Sequence, residues 1–364
     1  MEINLCSFNV LNFKFNSSGE QSFKQKKVKK IAKILREKNC HLAALQEIKS
    51  TETVAEIAKE LGFEFCHCEN LYDELNQENF LNRHGSSFKA EYAFLWDPNI
   101  LRLERDPEIY KGISDRISKS LELFIGAIAA FIWTMIIVKM AEKKEESKLR
   151  ILLKAFGIAG GTWTLATLLK NEMVKRQISA FLYQALRPPL IGIFKKNNDS
   201  VEKEIRIINT HTQFAKIPAE TGTATEIRLK ELEFILGEIF DIVDTQRDGK
   251  NRHATTIVAG DYNLPLRVIA NLDSRPGFAR CHRDRTFRTV QDLPSTITVV
   301  NQDEVKRGQQ ARFEYNENYD HFSYDESLFS ERPAISRFSC THDNFFIGER
   351  LISDHVPVSM TFNF

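Results

Sequence analysis

Short apolar segments recur along this 364-residue chain, and several of them end in a small cluster of polar residues. The first is Ile3 to Val10, and later ones include His41 to Gln46, Ile205 to Thr210 and Thr255 to Ala259. Segments of this length that are apolar on both faces are typical of strands in sheets covered on both sides. Helical periodicity lies between them, for example in residues 226 to 243. The pattern predicts an α/β fold with helices outside the sheets.

A strongly apolar region in the middle of the chain departs from this pattern. Residues 123 to 138 carry no charge, and residues 151 to 169 contain only Lys154 as an ionisable residue. A membrane-spanning helix needs about 20 apolar residues, so the region predicts a helical hairpin in a bilayer, from about residue 121 to residue 169. Small residues four apart favour close helix pairing, which would also allow oligomerisation through the hairpin. The alternative is a hairpin in water that packs on the protein body or on another copy.

The apolar region defines the domain boundaries. We expect a discontinuous domain, residues 1–110 and 187–364, and an inserted hairpin, residues 111–186. The N-terminus has neither the basic start nor the apolar stretch of a signal peptide, which indicates folding in the cytosol. Because a hairpin returns the chain to the side it left, the protein is expected at the cytoplasmic membrane with its larger domain facing the cytoplasm. Without a bilayer-crossing hairpin it would be cytoplasmic.

The overall charge of the chain favours no class of partner. Lys and Arg together number 50 and Asp and Glu 49, for a formal net charge of +1. A polyanion-binding tail would shift this balance. Any contact with nucleic acid must therefore come from a local concentration of basic residues.

Polar clusters follow four of the predicted strands or precede the last one. They are Asn9 with Asn12, Gln46-Glu47, Gly260-Asp261-Tyr262-Asn263 and Ser353-Asp354-His355. A carboxylate buried without a partner costs on the order of several kcal/mol, so these groups are expected to share one bound cation as their partner. The oxygen ligands Glu47, Asn9 and Asp354 favour Mg²⁺, with Mn²⁺ or Ca²⁺ as alternatives, over zinc.

Two histidines lie where they can carry protons. His211 ends the strand that begins at Ile205, and Glu91 begins another strand and is the expected partner of His211. His355 needs a second carboxylate, for which Asp320 and Asp343 are both candidates. A carboxylate bonded to an imidazole fixes its tautomer and raises its basicity, as a proton carrier requires.

The order of these motifs resembles the endonuclease/exonuclease/phosphatase superfamily, and within it the DNase I-like branch. The matching motifs are Ser7-Phe8-Asn9, Leu45-Gln46-Glu47, Glu91-Tyr92, Arg187-Pro188-Pro189, Asn209-Thr210-His211, Gly260-Asp261-Tyr262-Asn263, Tyr319-Asp320 and Ser353-Asp354-His355. The resemblance covers the discontinuous domain and omits the hairpin. It implies a four-layer sandwich of two packed mixed β-sheets flanked by helices, with an active site along one edge. The implied activity is metal-dependent hydrolysis of phosphodiester or phosphomonoester bonds.

The resemblance also implies a role for each matched residue. Glu47 is the expected principal metal ligand, with Asn9 and Asp354 close to the metal or the phosphate. The expected catalytic residues are His211, His355, Asp261, Glu91, Asp320 and Asn263. The expected substrate-binding residues are Arg187, Asn12 and Tyr92. Asp320 is preferred to Asp343 as the partner of His355, because it follows an aromatic residue and keeps a family-like spacing to Asp354.

The resemblance leaves the substrate open, since this fold serves several classes of phosphoester. The Glu91-Tyr92 motif and the two histidines are closest to DNase I-like nucleases, so hydrolysis of DNA, or of RNA, is the leading prediction. Arg280 to Arg288 is the most concentrated basic run and a candidate nucleic-acid contact, or else a solvated loop. The alternatives are a sphingomyelinase-like lipid phosphodiesterase, which the hairpin would hold at its substrate, and a catalytically inactive membrane scaffold.

Overall fold

The architecture is taken from a computed structural model of the chain. The structure describes residues 2–13, 21–68, 92–109, 189–197, 203–212, 221–245, 254–275, 278–279, 282, 285–290 and 294–363. The predicted hairpin, residues 111–186, lies outside the described residues, and so do Glu91 and Arg187.

The first of two large sheets contains the N-terminal and C-terminal strands. Its strands are β1 (Glu2–Phe13), β2 (Leu42–Ile48), β3 (Glu64–Cys68), β4 (Tyr92–Trp96), β14 (Ala334–Arg337) and β17 (Val358–Asn363). They are hydrogen-bonded in the order β14-β17-β1-β2-β4-β3. β1 is parallel to β2 and antiparallel to β17, so the sheet is mixed.

The second large sheet contains the strands from the middle of the sequence. Its strands are β5 (Leu101–Leu103), β6 (Glu108–Ile109), β7 (Leu190–Lys196), β8 (Glu204–His211), β9 (Thr255–Asp261), β10 (Phe287–Val290) and β13 (Asp320–Asp325). The order is β10-β13-β9-β8-β7-β5, with β6 also paired to β7. β8 and β9 are parallel and the other pairs are antiparallel.

Helices and two small hairpins complete the described part of the chain. The helices are α1 (Gln21–Glu37), α2 (Thr51–Leu61), α3 (Thr221–Phe234), α4 (Phe240–Thr245), α5 (Leu266–Ile269), α6 (Gln302–Val305) and α7 (His342–Phe345). A π-helical turn, Ile235–Ile239, joins α3 to α4, and 3₁₀ turns occupy Ala270–Ser274 and Glu326–Leu328. The small hairpins pair β11 (Ile297–Val299) with β12 (Phe313–Tyr315), and β15 (Phe346–Ile347) with β16 (Arg350–Leu351).

The two large sheets pack face to face through an aromatic core. Phe94 of the first sheet meets Phe194 of the second edge to face, with ring centroids 5.4 Å apart. Gly192 makes this contact possible, because a Cβ at this position would lie 2.8 Å from carbon atoms of both rings. Such aromatic pairs stabilise a core beyond their buried area.

Helices cover the outer faces of both sheets. Ile31 of α1 and Ile57 of α2 are buried in the core on the outer side of the first sheet. Leu236 and Phe240 are buried where the π-helical turn and α4 follow α3, and α4 packs against β8 and β9 of the second sheet. The predicted four-layer α/β sandwich of two mixed sheets flanked by helices is therefore confirmed.

Local side-chain and backbone chemistry sets both ends of α2. Ser50 caps its start: its hydroxyl accepts a hydrogen bond from the backbone N–H of Thr53, which lies inside the first turn. Gly62 ends the helix in a left-handed conformation with φ of 74°. In the second sheet, β13 was not predicted from the sequence, because its six residues contain no continuous apolar run.

The predicted location at the cytoplasmic membrane is wrong, because the described helices are not suited to cross a bilayer. Among the helices that the structure describes, none has both the length and the apolar character needed to cross a bilayer. The residues from which the prediction was made, about 121 to 169, lie outside the described part of the chain.

Candidate active site

The end of β1 brings an amide between two carboxylates. The side-chain Nδ2 of Asn9 donates hydrogen bonds to Oε1 of Glu47 at 3.3 Å and to Oδ2 of Asp261 at 3.1 Å. Glu47 follows Gln46, the residue that pairs with Asn9 across β1 and β2, while Asp261 comes from the other sheet. Asn9 therefore connects the two sheets at one edge and presents N–H groups, rather than its oxygen, to both carboxylates.

Glu47 has a backbone conformation that is rare for its residue type. Its φ is +60°, in the left-handed region. This conformation costs an L-residue about 1–2 kcal/mol and is often found where a side chain has a functional orientation. The conformation turns Glu47 out of the β2 ladder, and its side chain is only partly exposed. Its Oε1 also lies 3.6 Å from Nε2 of His211.

Three adjacent strands of the second sheet place three more side chains in one row. His211 of β8 pairs with Asp261 of β9, which pairs in turn with Asp320 of β13. The close approach of β8 and β9 depends on Gly260, since a Cβ there would lie 1.8 Å from the carbonyl oxygen of Thr210. Steric exclusion of a Cβ thus explains why the Gly-Asp-x-Asn motif begins with glycine.

His355 completes the group from the segment before β17. Its Nδ1 lies 2.8 Å from Oδ2 of Asp320, and its Nε2 lies 3.5 Å from Oδ2 of Asp261. Asp320 is therefore the carboxylate that pairs with His355. Asp343 lies in α7, where its side chain is 90% exposed and 3.7 Å from His342.

Ser353 joins the His355 segment to the end of β1. Its hydroxyl donates to the carbonyl oxygen of Asn9 at 2.7 Å and accepts from the backbone N–H of His355 at 3.0 Å. Ser353 is completely buried. One hydroxyl thus sets the distance between Asn9 and His355.

The pKa values of two groups at the site, Asp261 and His355, are raised above their ordinary values. Burial raises the pKa of Asp261 to about 7, although the positive charge on His355 opposes this shift. Burial alone lowers the pKa of His355, but the carboxylates of Asp320 and Asp261 raise it to about 10. At neutral pH the imidazole therefore holds a proton beside a carboxylate that can gain or lose one.

Asn263 lies next to this group and is held by its backbone and its side chain. Its N–H donates to Oδ1 of Asp261 at 2.8 Å, and its Nδ2 donates to the carbonyl oxygen of Thr212 at 2.8 Å. Its φ is +48°, a conformation that asparagine tolerates better than most residues. The Gly-Asp-x-Asn motif therefore forms a rigid turn with Asp261 at its centre.

A buried amide pair lies beneath the site and was not predicted from the sequence. Gln46 donates from Nε2 to Oδ1 of Asn209 at 2.8 Å, and Asn209 donates from Nδ2 to the carbonyl oxygens of Leu45 and Ala93. Both side chains are fully buried. Hydrogen bonds between the sheets at this depth fix their relative position below the reactive groups.

The other expected site residues lie in different surroundings. Tyr92 is fully buried, and its hydroxyl accepts a hydrogen bond from the backbone N–H of His211, so it has no access to a substrate. Asp354 is exposed. Asn12 is part of β1, but its side chain is outside the described part of the structure, as are Glu91 and Arg187.

The two described arginines of the expected basic run are paired with carboxylates. Arg285 is paired with Asp241 at 2.8 Å and Asp244 at 2.9 Å, and Arg288 with Glu326 at 2.8 Å. The finding therefore concerns these two described arginines, while Arg280 and Arg283 lie outside the described residues.

The donor set at the site suits a metal ion. Ligand atoms of Asp261, Asp320 and His355 all lie within 4.8 Å of one another. Oδ1 of Asp320 is buried with no hydrogen-bond partner among the described groups, which leaves a carboxylate oxygen available. This group differs from the expected ligands, because Asn9 faces the carboxylates as a donor. Glu47 is connected to Asp261 through Asn9, which donates one hydrogen bond to each carboxylate.

Solved structures provide the comparisons with known proteins. The chain is similar to a humanised D. rerio TDP2 (TM-score 0.48, 11% identity, 100% of this chain and 99% of that chain covered). It is also similar to an endonuclease/exonuclease/phosphatase family protein from Bacteroides thetaiotaomicron (0.48, 12%, 100% and 96%). A third similar structure is the human Nocturnin catalytic domain with bound sulfate (0.47, 12%, 100% and 94%). No protein-family model and no curated protein matches the sequence.

Proposed function

We propose that the chain is a divalent-metal-dependent phosphodiesterase that hydrolyses nucleic acid, with DNA as the leading substrate. The observation that carries the proposal is the meeting of Asn9, Glu47, His211, Asp261, Asp320 and His355 at one edge of the two sheets. A structural role for this many buried ionisable groups would be costly, whereas perturbed acids and bases in one place are typical of active sites.

Asp261 is suited to accept a proton from an attacking water. It is 1% exposed and lies 3.5 Å from Nε2 of both His211 and His355. A general base works best when its pKa is close to the working pH, and burial brings the pKa of Asp261 to about 7. Asn263 and Asn9 hold both of its oxygens by hydrogen bonds, so the carboxylate has a fixed direction.

His355 is suited to donate to a phosphate oxygen or to the leaving group. Asp320 binds Nδ1, so Nε2 is the nitrogen that faces the rest of the site. The pKa of about 10 keeps the ring protonated at neutral pH. A fixed positive charge at this position stabilises the charge that develops on phosphate in the transition state.

Glu47 is the residue we assign to the metal ion, with the exposed carboxylate of Asp354 as a further oxygen donor. Carboxylate oxygens are the ligands that Mg²⁺ prefers. When bound, such an ion polarises a phosphate oxygen and neutralises its charge. The chain contributes the orientation, because Asn9 donates a hydrogen bond to Oε1 of Glu47 at 3.3 Å.

A basic face on α1 supports nucleic acid as the substrate class. Four exposed residues follow one another at helical spacing, namely Lys26, Lys29, Lys33 and Arg36. The only acidic residue of the helix is Glu37, which lies 3.5 Å from Lys33. A row of cations along about two and a half helical turns fits the repeating charge of a phosphate backbone.

Arg228 of α3 is a further basic residue, and it was not among the predicted site residues. Its guanidinium donates to the carbonyl oxygen of Asn263 at 3.2 Å and is only partly buried. This position is next to the Gly-Asp-x-Asn turn. Arg228 is therefore suited to bind an oxygen of the scissile phosphate.

The test compares three substrates with the purified full-length protein. Supercoiled DNA, single-stranded RNA and sphingomyelin vesicles are each incubated with Mg²⁺ or with a chelator. We expect Mg²⁺-dependent nicking of DNA that is reduced by about 10²- to 10⁴-fold in Asp261→Asn. Asp343→Asn is the matched control, since it removes an exposed carboxylate at the surface.

Each other outcome has a definite meaning. Release of phosphocholine without DNA or RNA cleavage would replace the nucleic-acid assignment with the lipid one. Cleavage of RNA alone would keep the chemistry and change the substrate. Absence of turnover on all three substrates, or equal rates in Asp261→Asn and Asp343→Asn, would contradict the proposal.

A further inference from the structure

Lys27 is a charged residue on the buried side of α1. That side also carries the apolar residues Val28, Ile31 and Leu35, and a second buried lysine, Lys24. Lys27 is only 5% exposed. A buried ammonium group is costly unless it is well paired, so its position calls for a specific partner.

The partners of Lys27 lie in the irregular end of β1. Its Nζ donates to the carbonyl oxygen of Val10 at 2.8 Å and to that of Leu11 at 3.4 Å. Here β1 leaves its register with β2: pairing stops after Asn9 and resumes at Phe13. Leu11 has a φ of +54°, so the bulge contains a residue in a strained conformation. Lys27 thus binds two of the three residues between Asn9 and Phe13 that form the bulge.

The same bulge sets the direction of Asn9. The Oδ1 of Asn9 accepts a hydrogen bond from the backbone N–H of Leu11 at 3.0 Å. With its oxygen held there, the side chain presents Nδ2 to Glu47 and Asp261. A shift of Leu11 would therefore rotate the amide away from the two carboxylates.

Lys27 also lies close to the charged groups of the site. Burial lowers its pKa to about 8, and the carboxylates of Glu47 and Asp354 act in the opposite direction. Lys27 is buried, in contrast to the exposed basic residues Lys26, Lys29, Lys33 and Arg36 of the same helix.

We propose that Lys27 is a positioning residue of the active site: by binding the carbonyl oxygens of Val10 and Leu11, it holds the β1 bulge in the form that directs Asn9 toward Glu47 and Asp261. This inference rests on the proposed function for its effect on catalysis. Its structural part, the clamping of the bulge, is independent of that function.

The variant Lys27→Met tests the clamp, since it keeps most of the apolar stem and removes the ammonium group. We expect kcat for DNA cleavage to fall about 10- to 100-fold, because small displacements of catalytic groups have effects of this size. KM for DNA should change less than about threefold, since Lys27 does not contact the substrate. Lys27→Arg retains hydrogen-bond donors and should restore part of kcat. It replaces Lys27→Met in the test if the Met variant does not fold.

The control is Lys30→Met on the same helix. Nζ of Lys30 also donates to a backbone carbonyl oxygen, that of Asp343, which lies away from the site. This variant removes the same charge and the same type of hydrogen bond. We expect its kcat to remain within about twofold of the wild type.

Hydrogen exchange provides a readout that does not depend on activity. In Lys27→Met the backbone amides of residues 9 to 13 should exchange at least about tenfold faster, while those of β2 stay protected. Unchanged exchange at these residues, or an equal increase throughout the first sheet, would overturn the proposal. If wild-type protein cleaves no nucleic acid, the proposed function fails, and the exchange result still decides whether Lys27 clamps the bulge.

Discussion

Replacing Asp320 by asparagine removes the charge that faces Nδ1 of His355 and keeps the size of the side chain. Asp320 is fully buried, and the pair is separated by 2.8 Å. The carboxylates of Asp320 and Asp261 hold the pKa of His355 at about 10, against its ordinary value of 6.5. Without Asp320 the imidazole should lose its proton at a lower pH.

The sign of the effect on stability follows from this direction. A group whose pKa is raised on folding stabilises the folded state fully below its unfolded pKa, here 6.5. The contribution is lost as the pH rises through the folded pKa, about 10. The free energy of unfolding of the wild type should therefore decline between about pH 6.5 and 10. Breaking a buried ion pair costs about 3–5 kcal/mol, which is the expected loss for Asp320→Asn at pH 7.

Urea unfolding followed by circular dichroism measures both quantities. Lysines, cysteines and tyrosines also titrate in this range, so the relevant value is the difference between wild type and Asp320→Asn at each pH. We expect the difference to shrink from pH 7.5 to pH 10. A difference that stays constant over this range would refute the assigned charge on His355.

Three further predictions concern other parts of the site. Gly260→Ala should unfold the protein or lower its thermal midpoint by more than about 10 °C, because the added Cβ would lie 1.8 Å from the carbonyl oxygen of Thr210; a differential scanning calorimetry midpoint near wild type would exclude this close approach. Ser353→Ala should destabilise the fold by about 1–3 kcal/mol in chemical denaturation, since it leaves the buried carbonyl of Asn9 and N–H of His355 without their shared partner. Mg²⁺ should raise the thermal midpoint of the wild type, by the equivalent of about 2.7 kcal/mol at 100 times Kd, and not that of Glu47→Gln. An equal rise in both proteins would place the ion elsewhere.

The sequence predicts those parts of the fold that depend on continuous apolar segments. β1 and β2 are buried on both faces and apolar along most of their length, and β8 and β9 have a shorter apolar centre. β13 is equally buried, but it consists of Asp320 to Asp325 and includes His321, whose Nε2 lies 2.9 Å from the carbonyl oxygen of Leu264, and Ser323, whose hydroxyl lies 3.0 Å from that of Tyr262. No local pattern predicts such a strand.

The same distinction applies to the site. Clusters at strand ends predict that Asn9, Glu47, Asp261 and His355 meet, because strand ends in a common edge lie close together. The positive φ of Glu47 and the bulge after Asn9 are not visible in the sequence. Lys27 belongs to a lysine-rich helix, and only the fold distinguishes it from its exposed neighbours.

Long-range hydrogen bonds were also beyond sequence reasoning. The bond between Gln46 and Asn209 joins residues 163 positions apart, and the one between Ser353 and Asn9 joins residues 344 positions apart. Each of these residue types is common at turns and surfaces. Their structural role depends on burial, which the local sequence does not determine.

The central claim is metal-dependent hydrolysis of a phosphodiester bond. Its most direct test is to cleave a DNA oligonucleotide in water enriched in ¹⁸O and to determine the masses of the products by mass spectrometry. Hydrolysis at phosphorus predicts one heavy oxygen in the terminal phosphate per bond broken, at a rate that requires Mg²⁺ and falls by about 10²- to 10⁴-fold in Asp261→Asn. Products without the heavy oxygen, or the same rate of incorporation in Asp261→Asn as in the wild type, would contradict the account.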